Sequence, residues 1–212
     1  MQLVRWGHRC VASAMQLVLY TAIVSCFVLP SPIEAAPRQP RMGMFTKPDA
    51  RIDMAISFVD SSGEGITLAE AVPDSRPFIL VPIFYQCPRL CGLTMSGVID
   101  LVNALPLKLG SDYRVIAYSF NPADTPAQAQ EKRAKAVQRL TSQPVEPVSF
   151  RFLTATAETI TAINSQLDFR VRYADKELEH SSAIFIVRPD GTVVRYFAGV
   201  EFNPDRVAMA LR

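Results

Sequence analysis

A layered α/β fold built on a mixed sheet is what this sequence predicts, and three observations carry that reading. Apolar runs of strand length alternate with helix-period segments between residues 77 and 167. Turn or capping chemistry stands at the junctions between them. Two further strand-like runs then flank Arg188-Pro189-Asp190-Gly191, a hairpin turn. Strands separated by helices pair in parallel, and the closing hairpin adds an antiparallel pair.

The elements follow in order. Residues 36–50, rich in Pro, Arg and Met and without periodicity, read as a flexible tether to a domain spanning 51–212. Ile56 to Asp60 alternates weakly, Ser61 to Gly65 supplies a turn, and Ile66-Thr67-Leu68 resumes an extended pattern, which predicts an N-terminal β-ribbon. Pro77 to Tyr85 is a nearly continuous apolar run, as in a strand covered on both faces, although Pro82 argues against regular pairing there. Gly92 to Leu105 fits a helix and Tyr113 to Ser119 a buried strand. Thr125-Pro126 opens a helix through about Leu140, with Thr as cap and Pro at the first helical position.

Val148 to Phe152 is a short strand, and Thr156 caps a helix to Leu167 with Glu158 in its first turn. Ala183 to Val187 and Val193 to Phe197 form the hairpin, and Asn203-Pro204 starts a last helix by the same capping logic. The order is economical for a thioredoxin-like layered sheet with flanking helices.

Residues 1–35 have the layout of a signal peptide or membrane anchor: Arg5 and Arg9, an apolar run from Val11 to Leu29, then small residues ending in Ala35 and Ala36. Three outcomes are open, namely cleavage, retention as a single membrane-spanning anchor, or lipidation at Cys26 within Ile23-Val24-Ser25-Cys26. Each delivers the domain outside the cytoplasm, to the periplasm or the outer face of the membrane. The formal net charge of +2 falls by one without Arg5, Arg9 and Glu34, which gives no electrostatic footprint for nucleic acid.

Beyond the leader the chain keeps two cysteines, Cys87 and Cys91, and one histidine, His180. Tyr85-Gln86-Cys87-Pro88-Arg89-Leu90-Cys91 sits where a buried strand hands over to a helix. With Cys87 at or just before the helix N-terminus and Pro88 in its first turn, the unpaired backbone N–H groups there favour a thiolate. Both sulfurs then serve one ion, or each other when oxidised. An inert disulfide is the plainest alternative in an oxidising compartment, but so short a loop restrains little unfolded-state entropy.

His180 precedes Ser181-Ser182 and the strand from Ala183, and so is expected on a loop entering the sheet. Two thiolates with one imidazole suit Cu(I), and with a fourth weak ligand Cu(II). Zinc is chemically admissible, yet a structural zinc site is normally closed by four protein ligands. Met95, Met42 and Met44 are further thioethers, the first read as core filling and the other two as tether residues.

Three stretches, Phe84-Tyr85-Gln86-Cys87-Pro88-Arg89-Leu90-Cys91, Ser119-Phe120-Asn121-Pro122-Ala123-Asp124-Thr125-Pro126, and His180 followed by Pro189-Asp190-Gly191, occur in an order that resembles the Sco/SenC family. These are copper-binding, thioredoxin-like assembly factors for cytochrome c oxidase. The resemblance implies a periplasmic or membrane-tethered domain that binds copper through Cys87, Cys91 and His180. It also implies delivery of copper to the binuclear copper centre, or reduction of that centre's cysteines. The implied partners are the copper-bearing oxidase subunit and other copper chaperones or thioredoxin-like reductants. Asn121 stands where many relatives have Asp, and reads as part of a loop and helix cap.

Two functions therefore compete: copper binding and transfer, and thiol–disulfide exchange by the Cys87/Cys91 dithiol without metal. A peroxidase is a weaker third, because the chain lacks a Thr-x-x-Cys arrangement around the thiol.

Overall fold

The apolar run that begins at Pro77 becomes the middle strand of the sheet. The computed structural model describes residues 50–86, 90–141, 144–174 and 177–212. The leader or anchor, Cys26, Met42, Met44 and the tether up to residue 49 lie outside these, as do Cys87, Pro88 and Arg89. Among the described residues no helix is long and apolar enough to cross a membrane.

Strands β1 (Ser57–Val59) and β2 (Gly65–Thr67) pair antiparallel as the N-terminal ribbon. The extended pattern predicted through Leu68 ends one residue sooner, and a short helix α1 (Leu68–Ala71) begins there. Thr67 and Glu70 explain this. The Thr67 hydroxyl accepts from Glu70 N at 3.2 Å while the Glu70 carboxylate accepts from Thr67 N at 2.8 Å, a reciprocal cap that nucleates the turn.

Next come β3 (Phe78–Ile83), α2 (Leu90–Ala104), β4 (Arg114–Ser119), α3 (Pro126–Val137), β5 (Phe150–Leu153) and α4 (Ala157–Gln166). The chain then forms β6 (Val171–Ala174), β7 (Glu177–His180), β8 (Ala183–Val187), β9 (Val193–Ala198) and α5 (Pro204–Leu211). The main sheet has five strands in the order β5-β4-β3-β8-β9, parallel between β3, β4 and β5 and antiparallel from β3 to β8 to β9. This is the thioredoxin-like layering that the alternation of strands and helices implies.

Pro82 does not interrupt β3. Pro77 O and Ile83 O accept from Arg114 N and Phe120 N at 3.2 and 2.9 Å, so the odd-numbered residues of β3 turn their backbone polar groups toward β4. Pro82 therefore faces the β8 side, where pairing stops at Leu80, and its missing N–H costs no ladder bond. The predicted hairpin turn forms between β8 and β9, with Gly191 at φ 87°. A Cβ there would lie 2.2 Å from Ile52 O, the backbone of the segment that enters the domain.

The core is the usual consequence of such burial. Phe78, Leu80, Val115, Ile116, Phe150, Phe185 and Ile186 are wholly excluded from water. One ion pair sits at its edge: buried Arg114 donates from Nε to Asp74 Oδ1 at 2.8 Å and from Nη2 to Asp74 Oδ2.

Sequence reasoning missed the ribbon β6–β7. The alternation from Val171 is short, and neither Gly nor Asn follows it before His180 to mark a hairpin.

Candidate metal centre

The dithiol segment is held from both sides. On its N-terminal side, Tyr85 is buried; its hydroxyl donates to Leu153 O at 2.6 Å and its backbone N–H donates to Asp124 Oδ2 at 2.8 Å. Burial first, and then the negative charge of Asp124, hold the Tyr85 phenol well above its ordinary range, so it acts as a neutral hydrogen-bonding anchor. On its C-terminal side, α2 begins at Leu90. Cys91 thus belongs to the first turn of the helix, and the position expected for Cys87 and Pro88 at its N-terminus lies outside the described residues. The side chain of Cys91 and all of Cys87 lie outside the described residues.

Asp124 is a member of this site that the sequence reading did not single out. Its carboxylate, 7% exposed, accepts from Tyr85 N, from Ser119 Oγ at 2.6 Å and from Asn121 Nδ2 at 3.1 Å. Asn121 in turn accepts from Ala123 N at 3.2 Å. Asn121 is therefore a loop-forming residue, consistent with its expected structural role, and the carboxylate of this loop is supplied three residues later. The only sequence signal was Asp-Thr-Pro, which also reads as a plain helix entrance. That second reading holds as well: Thr125 caps α3 and accepts from Gln128 N at 3.4 Å.

His180 is not on a loop, as the sequence suggested, but ends β7, where its backbone registers with Val171. It is half-buried, with its ring centroid 4.7 Å from Phe120 and 6.4 Å from Phe169. Phe120 lies 6.5 Å from Phe84 and 5.7 Å from Phe169, so an aromatic bed links the end of β3 to the histidine. Asp168 creates that bed at its far end. Its φ of 49° terminates α4, Phe169 N closes back on Asn164 O at 2.8 Å, and the ring of Phe169 is thereby delivered to His180.

The His180 Nδ1 lies 3.0 Å from Ser181 O. A carbonyl oxygen only accepts, so Nδ1 carries the proton in the neutral ring and the ring lone pair is at Nε2. A part-buried contact joins the segment after β7 to the dithiol helix: Thr94 Oγ1 donates to Ser182 Oγ at 3.0 Å. Thr94 is three residues beyond Cys91, hence on the same side of α2, and Ser182 is two beyond His180. Gly97, one turn further, lets α2 press against the chain after β9, where a Cβ would meet Val200 O at 1.8 Å. Met95 is half-buried, packs on the core and lines a cleft with Phe84, Tyr85 and Phe152, in keeping with its expected core role.

A family model described as SCO1/SenC matches residues 46–212. No curated protein matches the chain. Solved structures do. An electron transfer protein candidate from Aquifex aeolicus VF5 is 24% identical, with 77% of this chain and 92% of that one covered at a TM-score of 0.68. BsSco, described as a Sco-family cytochrome c oxidase assembly protein with a disulfide switch, is 21% identical over 79% of this chain and 95% of its own, TM-score 0.59. Arabidopsis thaliana ScoI with copper bound is 17% identical over 73% and 91%, TM-score 0.57. At these identities the likeness is one of fold.

Proposed function

The chain belongs to the SCO1/SenC family, and from that premise we propose that it binds copper through Cys87, Cys91 and His180 outside the cytoplasm. In this reading the bound copper is cargo for the binuclear centre of cytochrome c oxidase, handed to the oxidase subunit that carries it. The observation that carries the proposal is the Thr94–Ser182 contact, which fastens the helix of Cys91 to the strand end of His180. The donor set fits the ion: two thiolates and one neutral imidazole are the soft and borderline ligands that copper takes in either oxidation state. Copper bound to the Arabidopsis relative supports the same reading.

Each part of the fold has a task here. The first turn of α2 favours thiolate at Cys91. Ser181 O fixes the imidazole tautomer, as partners of metal-bound histidines commonly do. The aromatic bed of Phe120 and Phe169 limits the freedom of the ring.

A second reading, thiol–disulfide exchange with the cysteines of a partner, is favoured by the position of Cys91 in a helix's first turn. The two readings are chemically linked. Oxidation of the two thiols to a disulfide releases two electrons and two protons to an acceptor disulfide, and removes both sulfur ligands at once. Titration of the reduced protein with copper separates them: the metallochaperone takes up one ion per chain, and loses it when His180 is replaced. A pure dithiol reductant exchanges disulfides equally well with and without His180.

A further inference from the structure

Beside the dithiol helix, a cleft of about 170 Å³ opens between α2, α3 and the ends of β3 and β5. Its floor is apolar, lined by Phe84, Tyr85, Met95 and Phe152. Phe84 and Met95 are only partly buried, so the floor presents carbon to solvent. Gly92, the residue after Cys91, also lines the cleft, and a Cβ placed on it would meet nothing within 4 Å. The cleft is therefore open beside the first turn of α2, to which Cys91 belongs.

Charge gathers on one side of this floor. Lys132 and Lys135 of α3 and Arg139 just beyond it line the cleft, and no carboxylate is among the described residues that do so. Two of the three cations have acidic neighbours outside the lining: Lys135 pairs with Glu131 on its own helix, and Arg139 Nη2 lies 3.9 Å from Asp100 Oδ1. Both pairs are well exposed, so each is screened and leaves its cation able to serve another anion. Those two carboxylates against three cations leave one positive charge beside the floor. An apolar floor with a cationic rim is the complement of an apolar side chain flanked by carboxylates. The volume selects the side chain, since an apolar cavity of ~150 Å³ accepts one benzene-sized ring.

We propose that this cleft docks an extended segment of a partner protein that carries an aromatic side chain between acidic residues. The ring enters over Phe84 and Met95, and the carboxylates meet Lys132, Lys135 and Arg139. A segment seated there runs alongside the dithiol helix and brings its own protein next to Cys91. That this partner is the one that takes copper from the chain, or exchanges a disulfide with it, rests on the function proposed above; the docking itself does not.

The test titrates the full chain, reduced, metal-free and isotope-labelled at its methionine methyls, with the capped peptide N-acetyl-Asp-Phe-Asp-amide at constant ionic strength. The Met95 methyl resonance is expected to shift saturably. N-acetyl-Asp-Ala-Asp-amide, which lacks the ring, binds at least ~10-fold more weakly, and so does N-acetyl-Lys-Phe-Lys-amide, whose charges oppose the rim. The double variant Lys132→Gln/Lys135→Gln lowers affinity for the Asp-Phe-Asp peptide about fivefold or more. Lys108→Gln, which alters an exposed lysine outside the cleft, leaves it unchanged. Copper has no part in this readout, so loss of the metal site leaves the result standing. The proposal is overturned if the Met95 methyl does not respond, if the peptide without a ring binds as tightly, or if the double variant binds as the parent does.

Discussion

The hydroxyl of Thr94 donates to the hydroxyl of Ser182 at 3.0 Å across 88 residues of sequence. Thr94 is 1% exposed and Ser182 half-buried, so the contact is partly shielded from water and ties the start of α2 to the segment between β7 and β8. Replacing it tests whether that joint positions the metal ligands. Thr94→Val keeps the volume, removes the donor and is expected to lower stability by about 1 kcal/mol. If the joint matters, copper affinity falls as well, by about fivefold for a similar energy. Denaturant unfolding and competitive copper titration of the same variant measure the two effects; unchanged affinity in a destabilised variant assigns the contact to folding alone.

Asn121→Asp brings a second acidic residue into a loop that already holds a carboxylate. Asn121 Nδ2 now donates to Asp124 Oδ1 at 3.1 Å, and an aspartate would replace that donor with a second negative charge. The expected loss at neutral pH is about 1–3 kcal/mol. Urea unfolding of variant and parent at pH 7 measures the loss; an unchanged midpoint would show that Asp124 moves away from the new charge.

The Asp74–Arg114 pair predicts the acid limb of stability. Hydrogen bonding from Arg114, opposed by burial, holds the Asp74 carboxyl below its usual range. A depressed folded pKa contributes stability that is complete above the unfolded value of about 3.9 and is lost as pH falls through the folded value. Asp74→Asn leaves the Arg114 guanidinium, 4% exposed, without its carboxylate. Because Asp74 keeps a third of its surface, screening trims the cost to about 1–2 kcal/mol at pH 7. The variant's stability should also fall less steeply below pH 4, as urea unfolding across that range will show.

The candidate ligands Cys87, Cys91 and His180 could be named from composition and spacing, since a domain with two thiols and one imidazole offers few alternatives. So were the alternating elements and the Pro189-Asp190-Gly191 turn, where local propensity and tertiary structure agree. What holds the site together was not readable. The Thr94–Ser182 bond joins residues remote in sequence, and neither threonine nor serine announces a partner. Asp124 was hidden behind its own local role, because Asp-Thr-Pro reads as a helix entrance whether or not the carboxylate turns back to Tyr85 N. His180 was misplaced onto a loop because no glycine or asparagine stands between Val171 and His180 to mark a hairpin, and the strand pairing that supports it is set by the fold rather than by local pattern. Pro82 shows the opposite error. A local rule argued against a regular strand, and the register of β8 removed the objection.

In the proposed function, three side chains, Cys87, Cys91 and His180, form one copper site. Titration of the reduced protein with Cu(II), followed by absorption, is the decisive experiment. One ion per chain and a sulfur-to-copper charge-transfer band are expected, both lost in Cys87→Ser, in His180→Ala and after oxidation of the dithiol. Tight binding and an unchanged band in His180→Ala would contradict it, and would leave the dithiol as the chain's working chemistry.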